Sequence, residues 1–381
     1  MALNTLHVST SSSWGGREIY SCTVMSELKK AGCGVHAVCR PGSMVEKALN
    51  EQEIPCIHVP TSAKVSFSAI NRINAFVLQN HIDVVHVHYS RDVWNTALAL
   101  MGNRKPKLFF SNYSGRRKKR DVLHRIIYSR LNGVFTSSAM LAGRLSQVYP
   151  VPASKIHLLP YGRRIENYQV DEHKRAEIRA RYGVQENDIL IGTMVRIDPG
   201  KGPFDLVKSL RYMEREVRDQ LKIMIVGEPT RSAGEKTNQP EFMPECEIYL
   251  NKINEFIESH GIRETVILTG YQKDLAGYLG AMDIFVFPSY NELYSLSVLD
   301  AMCMRLPVVA TRAGGNLEQI RENENGLFYE AGNSSELAEK LAFYIQSPEI
   351  RAAHGENARR FVMERHDMDA MIQKLMGHYQ F

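Results

Sequence analysis

The sequence predicts an α/β protein made of two doubly wound domains, each a parallel sheet covered by helices. Three observations carry this. Short β-rich runs alternate with helical patterns of about 10–15 residues from end to end. A dozen such runs is more than one sheet of this kind ordinarily holds. The chain is 381 residues long, a length that suits two domains rather than one.

Taken in order, Leu3–Ser9, Val35–Cys39, Ile54–Val59, Ile82–His88, Lys107–Asn112, Val134–Ser137 and Ile156–Leu159 read as strands of the first domain. They are apolar, rich in β-branched residues and bounded by Gly, Pro, Asn or Asp. Ile189–Val195, Lys222–Val226, Thr265–Leu268, Asp283–Phe287 and Pro307–Thr311 read as strands of the second. Between them, Glu18–Ala31 and Phe204–Glu214 are examples of the helical pattern. The break falls at Pro160-Tyr161-Gly162-Arg163-Arg164, where a strand ends in Pro and Gly and a polar helix follows. Glu228–Glu247 contains Pro229, Gly234, Pro240 and Pro244, and reads as a flexible loop. Arg359–Phe381 reads as one long helix interrupted near His366-Asp367.

The composition is 44% hydrophobic and 23% charged, which excludes a disordered or low-complexity chain. No run of about 18 apolar residues predicts a transmembrane helix. The start lacks the charged and apolar regions of a secretory signal. Cys22, Cys33, Cys39, Cys56, Cys246 and Cys303 are scattered, with no CxxC pair or zinc-type spacing, so a reducing compartment, the cytoplasm, is expected. The net charge of +5 conceals a split. Residues 1–162 hold 20 Lys and Arg against 8 Asp and Glu, net +12, and the remainder is net −7.

Four stretches suggest chemistry. Gly15-Gly16 follows the first strand and opens a helix, where bare backbone and a helix N-terminus suit a phosphate; a plain tight turn would look the same. Arg196 and Lys201 flank Pro199-Gly200, a turn able to aim two cations at one diphosphate, although single surface cations are commonly only solvated. Pro288–Met302 ends a strand and opens a helix, so backbone amides at Tyr294, Ser295 and Leu296 fall in its first turn, with Glu292 before it and Asp300 within it. An ordinary helix with an N-terminal carboxylate fits that stretch as well. His86 and His88 share one face of a strand, but no third metal ligand is evident nearby, and a structural or substrate-facing role is the default.

The ordered set Gly15-Gly16-x-Glu18, Asp83…His88, Arg196…Lys201, Thr269-Gly270-Tyr271, Pro288-Ser289…Glu292-x7-Asp300 and Leu306-Pro307-Val308-Val309-Ala310-Thr311 resembles the GT-B retaining glycosyltransferases of family 4 (GT4) over essentially the whole chain. The resemblance implies two Rossmann-like domains facing across a cleft. Residues 1–162, joined by a returning helix 364–381, would take the acceptor, and residues 163–363 the nucleotide-sugar donor. It implies that Arg196 and Lys201 bind the diphosphate and that Glu292 meets the transferred sugar. Asp300 would hold the ribose, Tyr294, Ser295 and Leu296 would offer amides to the phosphates, and Tyr271 would lie beside the base. Gly15 and Gly16 would approach the diphosphate from the other domain. His88 would lie on the acceptor side.

The chain departs from the family pattern in three places. Asp300 stands for a Glu, Asn112 or Tyr113 stands where a His is frequent, and Tyr161-Gly162 replaces Asn-Gly.

On this reading Arg196, Lys201 and a helix N-terminus neutralise the leaving group, with no metal and no other cofactor. The single Asp-x-Asp, Asp367-Met368-Asp369, lies far along the chain from these motifs and reads as a helix boundary. Ten cations fall within Arg104–Arg130, among them Arg116, Arg117, Lys118, Lys119 and Arg120, beside the apolar Val122, Leu123, Ile126 and Ile127. A basic amphipathic segment suits an anionic membrane surface, the inner face of the plasma membrane, or an acidic acceptor. No nucleic-acid motif accompanies it. The expected function is transfer of a sugar, from UDP first and GDP next, to a glycan or glycolipid of a bacterial cell surface. The alternatives are another GT-B activity, such as a sugar-nucleotide epimerase, and a non-catalytic nucleotide-sugar-binding protein.

Overall fold

The computed structural model describes residues 3–59, 64–113, 118–233 and 240–380. The chain divides into two compact units, 1–162 with 368–381, and 163–367.

The first unit is built on seven strands. They are β1 (Asn4–Ser9), β2 (Gly34–Cys39), β3 (Cys56–His58), β4 (Val84–Val87), β5 (Lys107–Ser111), β6 (Gly133–Thr136) and β7 (Ile156–Leu158). All pair in parallel, in the order β3-β2-β1-β4-β5-β6-β7. Helices cover both faces of such a sheet, so its strands become continuous apolar runs; all four residues of β4 are buried. The chain's last helix, Met368–Gln380, belongs to this unit. It buries Met368, Met371, Ile372, Leu375 and Tyr379, and the Tyr379 hydroxyl meets His86 Nδ1 at 2.5 Å. The return begins at Met368 rather than at 364. The preceding helix, Pro348–Arg365, runs to its end inside the second unit and stops at His366-Asp367.

The second unit holds β8 (Ile189–Met194), β9 (Leu221–Val226), β10 (Arg231–Ala233), β11 (Pro240–Phe242), β12 (Val266–Gly270), β13 (Ile284–Phe287), β14 (Val308–Thr311) and β15 (Gly326–Tyr329). Six of them form a parallel sheet, β12-β9-β8-β13-β14-β15. Its core joins Ile191, Ile223 and Val286 to Leu337 and Tyr344 of a covering helix. Of the expected loop at 228–247, the described residues form the antiparallel pair β10-β11 and the start of helix Pro244–Ser259, while 234–239 lie outside the described residues. Pro244 opens that helix at a position whose N–H would have no partner anyway.

Strand order reverses at β1/β4 in one unit and at β8/β13 in the other. Crevices at the carboxyl ends of strands at such switch points are where open α/β sheets bind ligands. Gly15-Gly16 follows β1, Arg196–Lys201 follows β8 and Pro288–Glu292 follows β13.

Candidate functional site

The second unit's site is assembled from two loops stitched together by main-chain bonds. After β8, Arg196 is exposed, and the chain makes a short 3₁₀ turn, Pro199–Lys201. Asp198 Oδ1 caps it by accepting the Gly200 N–H at 2.8 Å. Gly202 leaves the turn at φ +63°, and a Cβ there would stand 2.3 Å from the Pro288 carbonyl oxygen, so only glycine fits. The Tyr290 N–H donates to Gly200 O at 3.1 Å, which fixes the loop after β13 against the turn.

This register brings Lys201 Nζ to Glu292 Oε2 at 2.5 Å, each side chain about one-fifth exposed (24% and 20%). Glu292 is held from a third loop as well. The Gly315 N–H donates to its carbonyl at 2.8 Å, and Gly314, at φ +56°, would place a Cβ 1.9 Å from that oxygen. Sequence reading missed this glycine pair; its signal was two glycines just past a buried strand.

Helix Leu296–Cys303 is capped by Ser295, whose Oγ accepts the Val298 N–H. The Ser295 amide itself is already engaged. It donates to Oε1 of the fully buried Gln319 at 2.9 Å, while Gln319 Nε2 donates back to Ser295 O at 2.7 Å. The expectation that this amide is offered to a phosphate is therefore corrected. Tyr294 is buried, its hydroxyl 2.9 Å from His366 Nε2, and Leu296 begins the helix. Asp300 Oδ1 accepts from Arg163 Nε at 2.5 Å and from the Tyr168 hydroxyl at 2.6 Å. Burial, then the Asp300 charge, push the Tyr168 phenol well up, which keeps it a donor. Arg163 and Tyr168 also escaped sequence reading. Tyr271 follows β12 with its ring more than half exposed.

In the first unit, Gly15 caps helix Gly16–Lys30 with extended backbone, and a Cβ there would be 3.7 Å from Glu18 Oε2. Glu18 is buried and paired with Arg17. A third histidine, His7, joins His86 and His88, correcting the sequence reading. His7 Nδ1 meets His88 Nε2 at 2.9 Å, and His86 Nε2 meets Ser111 Oγ at 2.8 Å. Burial drives all three below the ordinary histidine range, His88 to about 3 with Arg17 as a lesser cause. Burial thus favours their neutral forms, and His7 Nε2 and His88 Nδ1 are buried without a hydrogen-bond partner among the described residues. Both ring nitrogens of His86 are engaged, and no carboxylate belongs to the cluster. His88 and Tyr113 line one small cavity with Ser111 and Tyr161. Burial, then Tyr161, push the Tyr113 phenol up. Asn112 is buried, its N–H donated to Phe135 O at 2.8 Å.

The basic segment is less uniform than its sequence. Arg116 and Arg117 lie outside the described residues. Lys119 does not face outward: its Nζ lies over the Tyr128 and Tyr149 rings, so its charge is turned into the unit. Lys118 and Arg120 are exposed, beside the exposed Val122, Leu123 and Ile126 of helix Val122–Ser129. Among the described residues no helix is long and apolar enough to cross a membrane, and all six cysteines are free.

Two family models match the chain, glycosyl transferases group 1 over residues 174–361 and glycosyltransferase family 4 over residues 14–166. A D-inositol 3-phosphate glycosyltransferase of Saccharomonospora viridis is 22% identical, over 94% of this chain and 88% of its own. HepE of Anabaena, solved with UDP and glucose, superposes at TM-score 0.81 and 19% identity over 98% of both chains. A glycosyltransferase of Rickettsia africae does so at 0.85 and 20% identity, over 100% of this chain and 98% of its own.

Proposed function

Because the chain belongs to the family 4 glycosyltransferases and is an enzyme of that class on the GT-B fold, we propose that it is a retaining, metal-independent transferase. It moves a sugar from a UDP donor, with GDP next in rank, to a glycan or glycolipid. The setting is bacterial cell-surface polysaccharide or lipopolysaccharide synthesis, at the cytoplasmic face of the plasma membrane. The UDP held by HepE supports the choice of nucleotide.

The observation that carries this reading is the Lys201–Glu292 pair, gripped by three loops at the carboxyl ends of β8, β13 and β14. Breaking the bond from the sugar's anomeric carbon leaves a nucleoside diphosphate with growing negative charge. Lys201 and Arg196 stabilise that charge, and the positive end of helix Leu296–Cys303 adds to it. With Lys201 drawn toward phosphate, Glu292 is left to face the positive charge developing on the sugar ring. Tyr271 offers an exposed ring to the base, and Asp300, set in place by Arg163 and Tyr168, accepts from the ribose. Gly15 needs no glycine for its own conformation or clearance, which suits a close approach by donor phosphate to Gly15-Gly16. His88, Asn112 and Tyr113 belong to the acceptor side. The exposed apolar residues of helix Val122–Ser129, with Lys118 and Arg120, meet anionic lipid.

The test is transfer, or donor hydrolysis, in excess EDTA. Wild type should retain its rate, while Lys201→Ala and Glu292→Ala should each lose about 10²–10³-fold in kcat. Abolition by chelator, with Lys201→Ala still active, would overturn the metal-free clamp.

A further inference from the structure

At the edge of the first unit's sheet, three metal-ligating side chains converge outside the site described above. Parallel register sets Cys39, the last residue of β2, beside His58, the last of β3. The helix Met44–Glu51 that follows β2 places Glu46 over them, with Ser43 capping its first turn. The thiol of Cys39, a carboxylate oxygen of Glu46 and a ring nitrogen of His58 all lie within 4.8 Å of one another. Cys56 lies on β3 two residues before His58, but its thiol donates to the Ile54 carbonyl at 3.4 Å and is not one of the three.

We propose that Cys39, Glu46 and His58 form a binding site for a zinc-type divalent cation, with water in the fourth position.

Five features of the cluster fit such an ion. Thiolate, imidazole and carboxylate are the donor types that zinc takes. A tetrahedral site with ordinary zinc bond lengths sets its donor atoms about 3.4–3.6 Å apart, so side-chain rotations of this cluster suffice. One thiolate and one carboxylate balance the 2+ charge, and binding releases the Cys39 thiol proton. The carboxylate is already oriented: Glu46 Oε2 accepts the Gly42 N–H at 2.6 Å while Oε1 is paired with His58 Nε2. Cys39 is fully buried whereas His58 is 44% exposed, which gives a closed inner face and an entry route.

The test uses tag-free full-length protein, stripped with EDTA, reduced with a phosphine and titrated with Co²⁺ as the spectroscopic probe. Expected is saturation at one equivalent, with a sulfur-to-cobalt charge-transfer band and tetrahedral d–d bands, both erased by added Zn²⁺. Cys39→Ser should remove the charge-transfer band. Glu46→Gln and the exposed His58→Ala should each weaken Co²⁺ binding by at least about tenfold, the lower bound for supporting groups of a metal site. His58→Ala alters a half-exposed residue, so it keeps the test decisive if Cys39→Ser fails to fold. Absence of the charge-transfer band in reduced wild type, or undiminished binding by His58→Ala, overturns the proposal.

Discussion

At Gly314 the backbone sits at φ +56° with the Glu292 carbonyl where a side chain would begin. Gly314→Ala must therefore move the loop that carries Glu292, as well as bear about 1–2 kcal/mol of left-handed strain. Gly332 has a similar φ of +84° but nothing within 4 Å, so Gly332→Ala isolates the strain alone. Gly314→Ala should lower kcat by at least about tenfold, whereas Gly332→Ala should lower only the stability read from urea unfolding, by about 1 kcal/mol. Equal turnover in the two variants would show that the glycine is not what positions Glu292. Arg196, Lys201 and Glu292 were legible in the sequence because each lies within a few residues of a strand end and a helix start. Gly314, Gln319 and Arg163 were not, because what they do is set by partners 22, 24 and 137 residues away. The same distance effect misled the reading of Ser295, whose amide lies in a helix's first turn but was already taken.

Among the elements, helix Val122–Ser129 sets three apolar side chains in solvent while Ile127 and Tyr128 anchor its other face. If it meets lipid, Leu123→Asp should abolish flotation with anionic vesicles and leave transfer to a soluble acceptor unchanged. Flotation should also weaken with salt, because the contributing charges on Lys118 and Arg120 are exposed. Equal partition of wild type and variant to neutral and anionic vesicles would exclude this role. Twelve of the strands were legible from apolar runs with Gly, Pro or Asn at their ends. β15 escaped because its four residues follow a polar turn and show no alternation; all four are buried. The β10-β11 ribbon escaped because prolines read as loop. Pro240 instead opens a strand in a two-stranded ribbon, where a missing N–H is tolerated. The basic run was overcounted for a related reason: Lys119 and Arg130 are spent on internal partners, Arg130 on the carbonyls of Leu100, Asn103 and Pro106.

For the molecule as a whole, the buried histidines dictate how stability responds to acid. His7, His86 and His88 stay neutral in the folded state, His88 to about 3, whereas the unfolded chain takes up protons near 6.5. Their folded values are depressed, so the stability they contribute is complete above about pH 6.5 and is lost as pH falls. Asp92 acts in the opposite sense. Burial raises it to about 6, against hydrogen bonds from Thr10 that lower it, so it favours the folded state increasingly as pH falls from about 6 toward 4. The three histidines outnumber Asp92, so the net slope is a loss of stability as pH falls from about 6 toward 4. Urea titrations of the first unit's transition across that window should show this slope, and His88→Gln should flatten it by about one proton. A flat profile would mean that the trio is not buried neutral. The +12 of the first half and the −7 of the second fall on the two units, since 1–162 and 163–367 divide almost where the charge does. The return of helix Met368–Gln380 to the first unit has a consequence for biogenesis. A ribosome making this chain finishes the first sheet, then emits about 200 residues of the second unit before the helix that seals the first one emerges. At about 5–20 residues per second, the nascent first unit waits roughly 10–40 s with His86 and its aromatic neighbours uncovered, a natural interval for chaperone engagement.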